Sequence, residues 1–481
     1  MEDRIFRKYD IRGIFGKDLN PEIAEHIGRA FALYLMEQRL GEGLKVSIGR
    51  DVRMSSDALR DAVIRGVISS GIDVVDIGEC PTPLQYFSLY HLNVDGGIMI
   101  TGSHNPPEYN GFKLSVGKET IYGDEIQELR KIIERGRDQS QQTRGEEGRL
   151  EHYEIIPAYL GHLIGQFSEP EKKGDISNPI RVVIDAGNGT AGLVAPELFK
   201  KLGYEVVELY TTPDGRFPNH HPDPTLEENL KDLIDMVKEK RADIGVAYDG
   251  DGDRIGVVDE VGNIVWGDKL MIVFARDILH HRKEGATFIG EVKCSQVMYD
   301  EIERLGGKAI MWKTGHSLIK AKMREVGAIL AGEMSGHIFF ADRYFGYDDA
   351  IYATCRLLEI MSKGRSRMQR GGLSALLTDI PKTVSTPEIR IDCSDEEKFE
   401  VVERLSGMIK TGEEDLSIRD VIRIDGLRVV FEEGWALIRA SNTQPVLVMR
   451  FEASTEGALK RIQDFIKERL EMVKVQMLRQ K

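Results

Sequence analysis

The segment Ile244-Gly-Val-Ala-Tyr-Asp-Gly-Asp251 is a short apolar strand that runs directly into a polar loop containing glycine. Gly97-Ile-Met-Ile-Thr-Gly-Ser-His104 and Ala328-Ile-Leu-Ala-Gly-Glu-Met-Ser335 have the same pattern. Short β-branched strands that alternate with helical segments are typical of parallel α/β layers, and ligands bind where such strands end. We therefore expect three polar loops at the carboxyl ends of buried strands.

Each of these segments closes a unit that begins with two other apolar segments separated by a helical stretch. The first and second strands of the three units are predicted at Val46–Asp51 and Gly71–Gly78, Val182–Gly187 and Gly203–Tyr210, and Phe288–Lys293 and Gly306–Lys313. We interpret the three units as an internal repeat. Three unrelated α/β domains would have the same outline, so that alternative stays open at this point.

The C-terminal region has a different pattern. Gly434–Arg439 and Val446–Phe451 are apolar segments on either side of a polar turn, which predicts a β-hairpin. The apolar residues that follow recur every three or four positions, as on the buried face of a helix; they are Leu459, Ile462, Ile466, Leu470, Val473 and Met477. This region is predicted to be a small domain closed by a helix.

The length of 481 residues is enough for three or four domains of about 100–200 residues each. Two stretches are predicted to be connectors: Glu134–Arg149, rich in Gly, Gln, Ser and charged residues, and the basic run Gly364–Gly372. We predict α/β domains at residues 1–152, 153–258 and 259–371, and an α+β domain at residues 372–481.

Composition and charge exclude several classes of protein. A net charge of −14 disfavours nucleic-acid binding, which needs a basic surface. No apolar run reaches the roughly 18 residues that span a bilayer, and the N-terminal segment has no apolar signal core, so we expect neither a membrane partner nor export. The cysteines are too dispersed for a disulfide framework or a thiolate metal site, which favours a reducing cytoplasm; they are Cys80, Cys294, Cys355 and Cys393.

Ser103 lies in Thr101-Gly-Ser-His-Asn-Pro-Pro107, a turn that glycine and two prolines make rigid and exposed. Serine becomes an effective nucleophile only when a base or an electrophile assists it, and His104 and Lys113 are near it in sequence. The loop alone is equally compatible with a Ser/Asn turn that only satisfies its own backbone groups.

Asp249, Asp251 and Asp253 alternate with glycines in the segment that ends at Arg254. Carboxylates at this spacing can converge on one hard cation, and three uncompensated aspartates would otherwise repel one another. An EF-hand fits poorly: Glu260 falls at the twelfth position, but Arg254 occupies the sixth, where the sharp turn requires glycine. The pattern predicts a metal site, with Arg254 placed to bind a phosphoryl oxygen.

Two further loops carry polar side chains suited to a sugar phosphate. In Gly332–His337, Glu333 and Ser335 can reach neighbouring hydroxyls of a polyol, and His337 can meet a phosphate. Arg439-Ala-Ser-Asn-Thr-Gln-Pro445 offers a guanidinium, hydroxyls, an amide and backbone N–H groups, which suit a phosphate that does not react. A capping serine beside an exposed acid and a plain hairpin turn remain the alternatives for these two loops.

The combination and order of the four loops resemble the α-D-phosphohexomutase superfamily. This resemblance covers essentially the whole chain, and it implies three similar α/β domains with mixed sheets and a smaller α+β C-terminal domain around a central cleft. It also implies that Ser103 is phosphorylated, and that its phosphate joins Asp249, Asp251 and Asp253 in holding Mg²⁺. The other two loops match a sugar-binding set and a phosphate-binding set; these are Glu333, Ser335 and His337, and Arg439, Ser441, Asn442 and Thr443.

Further segments match positions that contact substrate in the superfamily. Tyr9-Asp-Ile-Arg-Gly13 resembles its N-terminal cleft segment, which contributes Tyr9 and Arg12, and Lys293 and His316 match two more such positions. A side chain must relay the proton of the sugar hydroxyl. The candidates for this general acid or base are Lys113, His104, His316 and Arg12.

Within the superfamily, the loop at Gly332–His337 is similar to the phosphomannomutase/phosphoglucomutase branch. This similarity implies reversible interconversion of hexose 1-phosphate and hexose 6-phosphate, of mannose, glucose or both, with a hexose 1,6-bisphosphate as intermediate and activator. The implied partner is a small sugar phosphate, and we expect a monomer or homodimer.

Three alternative functions stay open. Phosphoglucosamine mutases usually carry Gln where Met334 stands and Ala where Gly102 stands, so that activity is less favoured than the first. A hydrolase would lose the Ser103 phosphate to water. A non-catalytic protein would only bind the sugar phosphate, which the intact serine and aspartates argue against.

Overall fold

The structure is a computed structural model that describes residues 3–38, 43–137, 146–168, 179–282, 285–367, 372–410, 417–441 and 445–480. These residues form four β-sheets in chain order. The first sheet consists of β1 (Ile11–Ile14), β2 (Lys45–Arg50), β3 (Asp73–Glu79), β4 (Gly96–Ile100), β5 (Tyr109–Val116), β6 (Glu119–Thr120) and β7 (Leu150–His152). It is accompanied by α1 (Pro21–Gln38), α2 (Ser56–Ile68), α3 (Thr82–His91) and α4 (Asp124–Arg137), and α5 (Ile155–Phe167) leads to the second sheet.

The second and third sheets follow the same alternation of strands and helices. The second contains β8 (Arg181–Asp185), β9 (Glu205–Leu209), β10 (Ile244–Tyr248), β11 (Ile255–Asp259) and β12 (Ile264–Val265), with α6 (Ala195–Lys201) and α7 (Lys231–Lys240). The third contains β13 (Thr287–Glu291), β14 (Lys308–Trp312), β15 (Leu330–Gly332) and β16 (Ile338–Phe340), with α8 (Gly267–His281), α9 (Gln296–Arg304), α10 (His316–Val326) and α11 (Ala350–Arg367). Short 3₁₀ helices lie at Asp3–Ile5, Thr190–Leu193, Glu227–Leu230 and Leu373–Leu377.

The first three sheets share one arrangement of strands. In each, a central strand (β2, β8 or β13) pairs in parallel with the next two strands of the chain, and a fourth strand returns antiparallel to the third. The orders are β3-β2-β4-β5, β9-β8-β10-β11 and β14-β13-β15-β16. The predicted α/β fold with mixed sheets and the three similar units are confirmed. Because each polar loop joins the third strand to the fourth, all three loops lie at the same end of their sheets.

The fourth sheet is antiparallel and closes the chain. It contains β17 (Val384–Ser385), β18 (Ile389–Asp392), β19 (Ile418–Ile422), β20 (Leu427–Phe431), β21 (Gly434–Ala440) and β22 (Val446–Ala453), with α12 (Lys398–Met408) and α13 (Glu456–Gln480). The predicted hairpin is β21–β22, and all six residues of the predicted apolar stripe are buried on α13. Among the described helices, none is both long and apolar enough to cross a membrane.

The first three units are packed through a shared core. One continuous apolar cluster takes in Leu84 of α3, Leu163 of α5, Val182 of β8, Phe288 of β13 and Tyr352 of α11. The first sheet and the C-terminal sheet have separate clusters of their own. Shared packing fixes the three units relative to one another, and this holds their strand-end loops face to face.

Both predicted connectors begin inside helices, so the sequence prediction is wrong about where they start. Helix α4 continues to Arg137 and α11 continues to Arg367. A glycine inside a helix costs only about 1 kcal/mol relative to alanine, which packing of the preceding turns can outweigh. Beyond the second connector, Leu373 and Ile380 are buried in the core that the third sheet shares.

Asp349 caps α11 from a fully buried position. Its carboxylate accepts hydrogen bonds from the backbone N–H of Tyr352 and the hydroxyls of Tyr159 and Tyr344, each at 2.8 Å. Burial raises the pKa of Asp349 from 3.8 to about 6. Since ionisation is then easier in the unfolded chain, the contribution of this carboxyl to stability is greatest below pH 3.8 and is lost as the pH rises through about 6.

Replacement of Asp349 by asparagine is therefore expected to stabilise the protein above about pH 6, by at most about 3 kcal/mol. The amide keeps an oxygen that accepts from the N–H of Tyr352, and it cannot ionise, so there is no buried charge to destabilise the folded state. The midpoint of thermal unfolding of both proteins, measured between about pH 5 and pH 8, checks this. The difference should grow in favour of Asp349→Asn between about pH 5 and pH 6 and change little above that.

Glu301→Gln is the matched control, because the pKa of Glu301 is shifted in the opposite direction. Hydrogen bonds from Arg304 and Arg276 lower the pKa of Glu301 to about 2. The stability that Glu301 and its two arginines contribute is nearly complete above the ordinary pKa of 4.5, so the difference between Glu301→Gln and wild type should stay nearly constant between about pH 5 and pH 8. A difference for Asp349→Asn that stays constant between about pH 5 and pH 6, where this carboxyl still titrates, would contradict the prediction.

Candidate active site

The three strand-end loops meet in one cleft. They are residues 101–108 between β4 and β5, 249–254 between β10 and β11, and 333–337 between β15 and β16. The Ser103 hydroxyl donates to Asp249 Oδ2 at 2.9 Å, and Arg254 pairs with His337 through an isolated β-bridge. A Cβ at position 250 would lie 2.5 Å from the carbonyl oxygen of Ser103, so glycine there allows the first two loops to touch.

Ser103 is held in a left-handed backbone conformation with φ of 49°. It is buried, its N–H donates to Thr101 Oγ1 at 2.8 Å, and its Oγ lies 3.1 Å from His104 Nδ1 as well as near Asp249. A left-handed residue other than glycine is costly and persists only where surrounding contacts fix it. The structure therefore aims the Ser103 hydroxyl at the acidic loop and at one imidazole.

The three aspartates of the second loop form a compact, fully buried acidic group. One oxygen from each of Asp249, Asp251 and Asp253 lies within 4.8 Å of the others. Burial and repulsion by the other two carboxylates raise the pKa of Asp249 well above its usual value. Lys113 Nζ donates to Asp251 Oδ2 at 2.7 Å and to Asp253 Oδ2 at 2.5 Å.

This donor set fits a hard divalent cation. The remaining oxygens, Asp251 Oδ1 and Asp253 Oδ1, are buried and accept no hydrogen bond from the residues that the structure describes. Unpaired buried carboxylate oxygens are costly, and oxygen ligands of this kind suit Mg²⁺ or Ca²⁺. The residues can hold a metal, and the Ser103 hydroxyl at 2.9 Å from Asp249 is close enough to join them.

The four candidates for proton transfer differ in charge. Burial, reinforced by the charge of Arg254, lowers the pKa of His104 well below its usual value, and burial and Lys320 do the same to His316. Burial alone would lower the pKa of Lys113 too, but Asp251 and Asp253 raise it well above normal. The two imidazoles are thus neutral and Lys113 is charged. Arg12 lies further along the cleft, where its Nη1 donates to Asn105 Oδ1 at 2.5 Å.

The third loop forms a tight turn that presents polar groups to the cleft. Glu333 Oε2 accepts from the hydroxyl of Ser335 at 3.1 Å, and its Oε1 accepts from the N–H of Gly315 at 2.9 Å. His337 Nε2 accepts from Arg254 Nε at 2.9 Å. The turn thus connects the acidic loop to the segment that precedes His316.

The segment before His316 also contacts the first and fourth domains. The carbonyl oxygen of Thr314 accepts from the Tyr9 hydroxyl at 2.9 Å. The backbone N–H of Thr314 donates to Asp425 Oδ2 at 3.2 Å. Asp425 in turn pairs with Arg439 at 3.0 Å. These contacts bring Tyr9 and Arg439 to the same part of the cleft.

Two of the remaining substrate candidates, Lys293 and Ser441, lie just after strands. Lys293 follows β13 and lies 3.7 Å from a carboxylate oxygen of Glu388, and Ser441 is buried directly after β21. Asn442 and Thr443 lie outside the described residues.

Comparison with known proteins agrees with this architecture. Models of the phosphoglucomutase/phosphomannomutase alpha/beta/alpha domains I, II and III match residues 3–140, 157–262 and 266–384, and the model of the C-terminal domain matches residues 388–469. The chain belongs to the phosphoglucomutase/phosphomannomutase family. This confirms the resemblance to the α-D-phosphohexomutase superfamily that the four loops indicated.

Relatives in this family are similar over their whole length. A phosphomannomutase/phosphoglucomutase of Pseudomonas putida is 46% identical over 470 residues, which cover 98% of this chain and 96% of that protein. A phosphoglucomutase of Neisseria gonorrhoeae is 44% identical over 464 residues, 96% of each chain. A solved phosphoglucomutase/phosphomannomutase family protein of Burkholderia thailandensis superposes with a TM-score of 0.88 at 43% identity, over 98% of both chains. The chain is therefore an enzyme of this family.

Asp348 is a buried neighbour of the family's cleft loops that the sequence did not indicate. Its Oδ2 lies 3.0 Å from His337 Nδ1, and its Oδ1 accepts from Lys320 Nζ at 3.2 Å. Burial alone would raise the pKa of Asp348, but the charge of Lys320 and the hydrogen bond from His337 hold it well below its usual value. Its position just before a helix was the available signal, and an ordinary helix cap explains that position equally well.

Thr82 and Asp425 were missed for a similar reason. The Thr82 hydroxyl donates to Asp251 Oδ2 at 2.6 Å, yet in the sequence Thr82 is only a polar residue at the start of α3. Asp425 lies in a turn of the C-terminal domain, and only the fold brings it to Arg439 and Thr314. The rule that ligands bind where parallel strands end pointed to the three strand-end loops. It gave no information about the side chains that hold those loops in place.

Proposed function

We propose that the protein interconverts hexose 1-phosphates and hexose 6-phosphates, of glucose, mannose or both, by passing a phosphate through Ser103. The observation that carries this proposal is the Ser103 hydroxyl, held 2.9 Å from Asp249 in a buried acidic group at the meeting point of three loops. A nucleophilic oxygen beside a cation site is the arrangement that phosphoryl transfer needs.

In the proposed cycle the resting enzyme carries phosphate on Ser103. The oxygen of the free sugar hydroxyl attacks this phosphorus, the bond from phosphorus to Ser103 Oγ breaks, and a hexose 1,6-bisphosphate forms. The intermediate then turns over in the cleft, Ser103 Oγ attacks its other phosphate, and the isomeric monophosphate leaves. A free hexose 1,6-bisphosphate would act as activator by phosphorylating Ser103.

The proton of the sugar hydroxyl must move to Ser103 Oγ as that oxygen leaves. His104 Nδ1 lies 3.1 Å from Ser103 Oγ, so the neutral imidazole can carry a proton on Nδ1 and give it to Oγ. Neutral His316 can take the proton at the sugar. Mg²⁺ held by Asp249, Asp251 and Asp253 would supply charge neutralisation at the transferring phosphate.

Other cleft residues would position the substrate. Lys113 and Arg254 carry positive charge beside the acidic group, which suits the transition state of phosphoryl transfer. Glu333 and Ser335 would accept sugar hydroxyls. By the family resemblance, the unreactive phosphate would bind Arg439, Ser441, Asn442 and Thr443. Tyr9, Arg12, Lys293 and His337 would contact other parts of the substrate.

The assay that tests the proposal follows glucose, mannose and glucosamine 1-phosphates by phosphorus NMR, with Mg²⁺ and the matching 1,6-bisphosphate. We expect the glucose and mannose compounds to be converted to 6-phosphates faster than the glucosamine compound, with a lag or no turnover when the bisphosphate is omitted. Release of inorganic phosphate as the main product would instead indicate a hydrolase, and absence of any turnover or labelling would indicate a binding protein.

A further inference from the structure

Arg53 follows β2 and lies buried beneath the loop that carries Ser103. Its guanidinium donates to three backbone carbonyl oxygens of that loop, those of Ser103 (2.7 Å), Asn105 (2.6 Å) and Pro106 (2.5 Å), and to that of Tyr109 (3.0 Å) at the start of β5. Its Nε donates to Asp51 Oδ2 at 3.1 Å. An arginine side chain has five N–H donors, and all five bonds go to the loop, to the start of β5 or to Asp51.

Asp51 holds the other side of the same turn. Its Oδ2 accepts from the N–H of Gly102 at 3.1 Å, while its Oδ1 accepts from the N–H of Arg53 at 3.0 Å and the hydroxyl of Ser56 at 2.5 Å. Asp51 therefore fixes the N–H of Gly102, before Ser103, and Arg53 fixes the carbonyl of Ser103 and those that follow it. These bonds are charge-assisted and buried, which makes them strong.

The guanidinium is enclosed on two sides. It lies 5.1 Å from the centre of the Phe217 ring, which belongs to the second domain. On the loop side, a Cβ at Gly102 would come within 2.5 Å of Arg53 Nε and 2.6 Å of its Cζ. Glycine at position 102 lets the cation approach the turn closely, and this enclosure shields the cation from solvent.

We propose that Arg53 is a positioning residue that fixes the backbone around Ser103, so that the hydroxyl faces Asp249. The left-handed φ of 49° at Ser103 is costly for a residue other than glycine and needs contacts that hold it. With its donors directed to backbone oxygens, Arg53 does not bind the substrate phosphate, although it is a cation beside the cleft. The inference rests on the proposed role of Ser103 as phosphate carrier.

Arg53→Lys tests this role, because the ammonium keeps the positive charge but has only three donors. It cannot replace the planar guanidinium, which donates to four carbonyls. We expect kcat to fall about 100-fold, the scale of a displacement of about 1 Å, while KM changes less than about threefold. The rate is measured in single turnovers per phosphorylated Ser103, which removes the effect of unfolded or unphosphorylated protein. The binding constant for glucose 1-phosphate should equal that of wild type.

Arg60→Lys on α2 is the matched control, because Arg60 pairs with Asp61 and Asp76 and not with the loop. Its rate per phosphorylated serine should equal that of wild type. If Arg53→Lys does not fold, Asp51→Asn gives the second test, since the amide weakens the bond to Arg53 Nε without removing the guanidinium. The same fall in kcat at constant KM supports the role.

A wild-type rate per phosphorylated serine in Arg53→Lys, or in Asp51→Asn where the first variant is unfolded, overturns the inference. A loss confined to KM also overturns it, because that would make Arg53 a substrate contact. Ser103→Ala separates the two levels: if it is inactive while Arg53→Lys is normal, only this inference falls. If Ser103→Ala is active, the proposed function itself falls.

Discussion

Replacement of Ser103 by alanine is expected to lower bisphosphate-dependent turnover by at least about 10⁴-fold, the scale on which loss of a covalent nucleophile lowers kcat. Without Oγ there is no atom to carry the phosphate, and the two contacts of that oxygen, to Asp249 and His104, are lost as well. The measurement is conversion of glucose 1-phosphate with Mg²⁺ and glucose 1,6-bisphosphate, together with transfer of labelled phosphate from the bisphosphate to the protein.

Ser115→Ala is the control for this experiment. Ser115 is a buried serine of β5 whose Oγ has no hydrogen-bond partner among the described residues, so its removal should leave both turnover and labelling unchanged. Full turnover in Ser103→Ala would end the phosphoserine mechanism. Loss of turnover with labelling retained would show that another residue carries the phosphate.

The strands that carry the site were predictable because their signal is local. Val46, Val182 and Phe288 each begin a short apolar run, and such runs form buried strands. The loops were predictable as a group because third strands of parallel units end on one edge of a sheet. The meeting of Ser103 with Asp249 follows from packing of three units through one core, which no single segment determines.

The residues that support the loops could not be predicted in the same way. Arg53 contacts carbonyls about 50 positions further along the chain, and Tyr9 reaches Thr314 across 305 positions. The segment around Arg53 does not differ from an ordinary strand end, and the family resemblance placed Tyr9 in the cleft without indicating its contact with Thr314. Arg53 is indistinguishable by sequence from a phosphate-binding arginine, and only the direction of its five donors suggests its role.

The helix ends were missed for a more local reason. The run from Gly364 has the composition of a connector, yet its first residues continue α11 to Arg367. Composition reports the average preference of a stretch, whereas a helix already packed on a core extends through residues that would not begin one. The charge states of the cleft were also inaccessible, since the opposite shifts of Lys113 and His104 depend on burial and on which charges lie beside each group.

Replacement of Asp251 by asparagine is expected to lower kcat by about 10²–10³-fold while it changes the affinity for hexose phosphate much less. Asp251 accepts from Thr82 and Lys113 and supplies one oxygen of the acidic group. The amide removes one negative charge, so the site holds a divalent cation less tightly and Lys113 loses one of its two partners. Steady-state kinetics across a series of Mg²⁺ concentrations should show a lower maximal rate and a higher Mg²⁺ requirement, and calorimetry with glucose 1-phosphate should show nearly unchanged binding.

Asp259→Asn is the matched control, because Asp259 is a buried aspartate of the same strand pair that serves only the turn after β11. It accepts from the N–H groups of Val261 and Asn263 and does not touch the acidic group. Its replacement should cost some thermal stability and leave the Mg²⁺ requirement unchanged. If Asp251→Asn kept the wild-type kcat, the acidic loop would not take part in catalysis. If it weakened sugar binding as much as it lowered kcat, the loop would act on the ground state of the substrate. A charge that assists phosphoryl transfer stabilises the transition state more than the bound substrate. A selective loss of kcat therefore distinguishes a catalytic metal loop from a structural one.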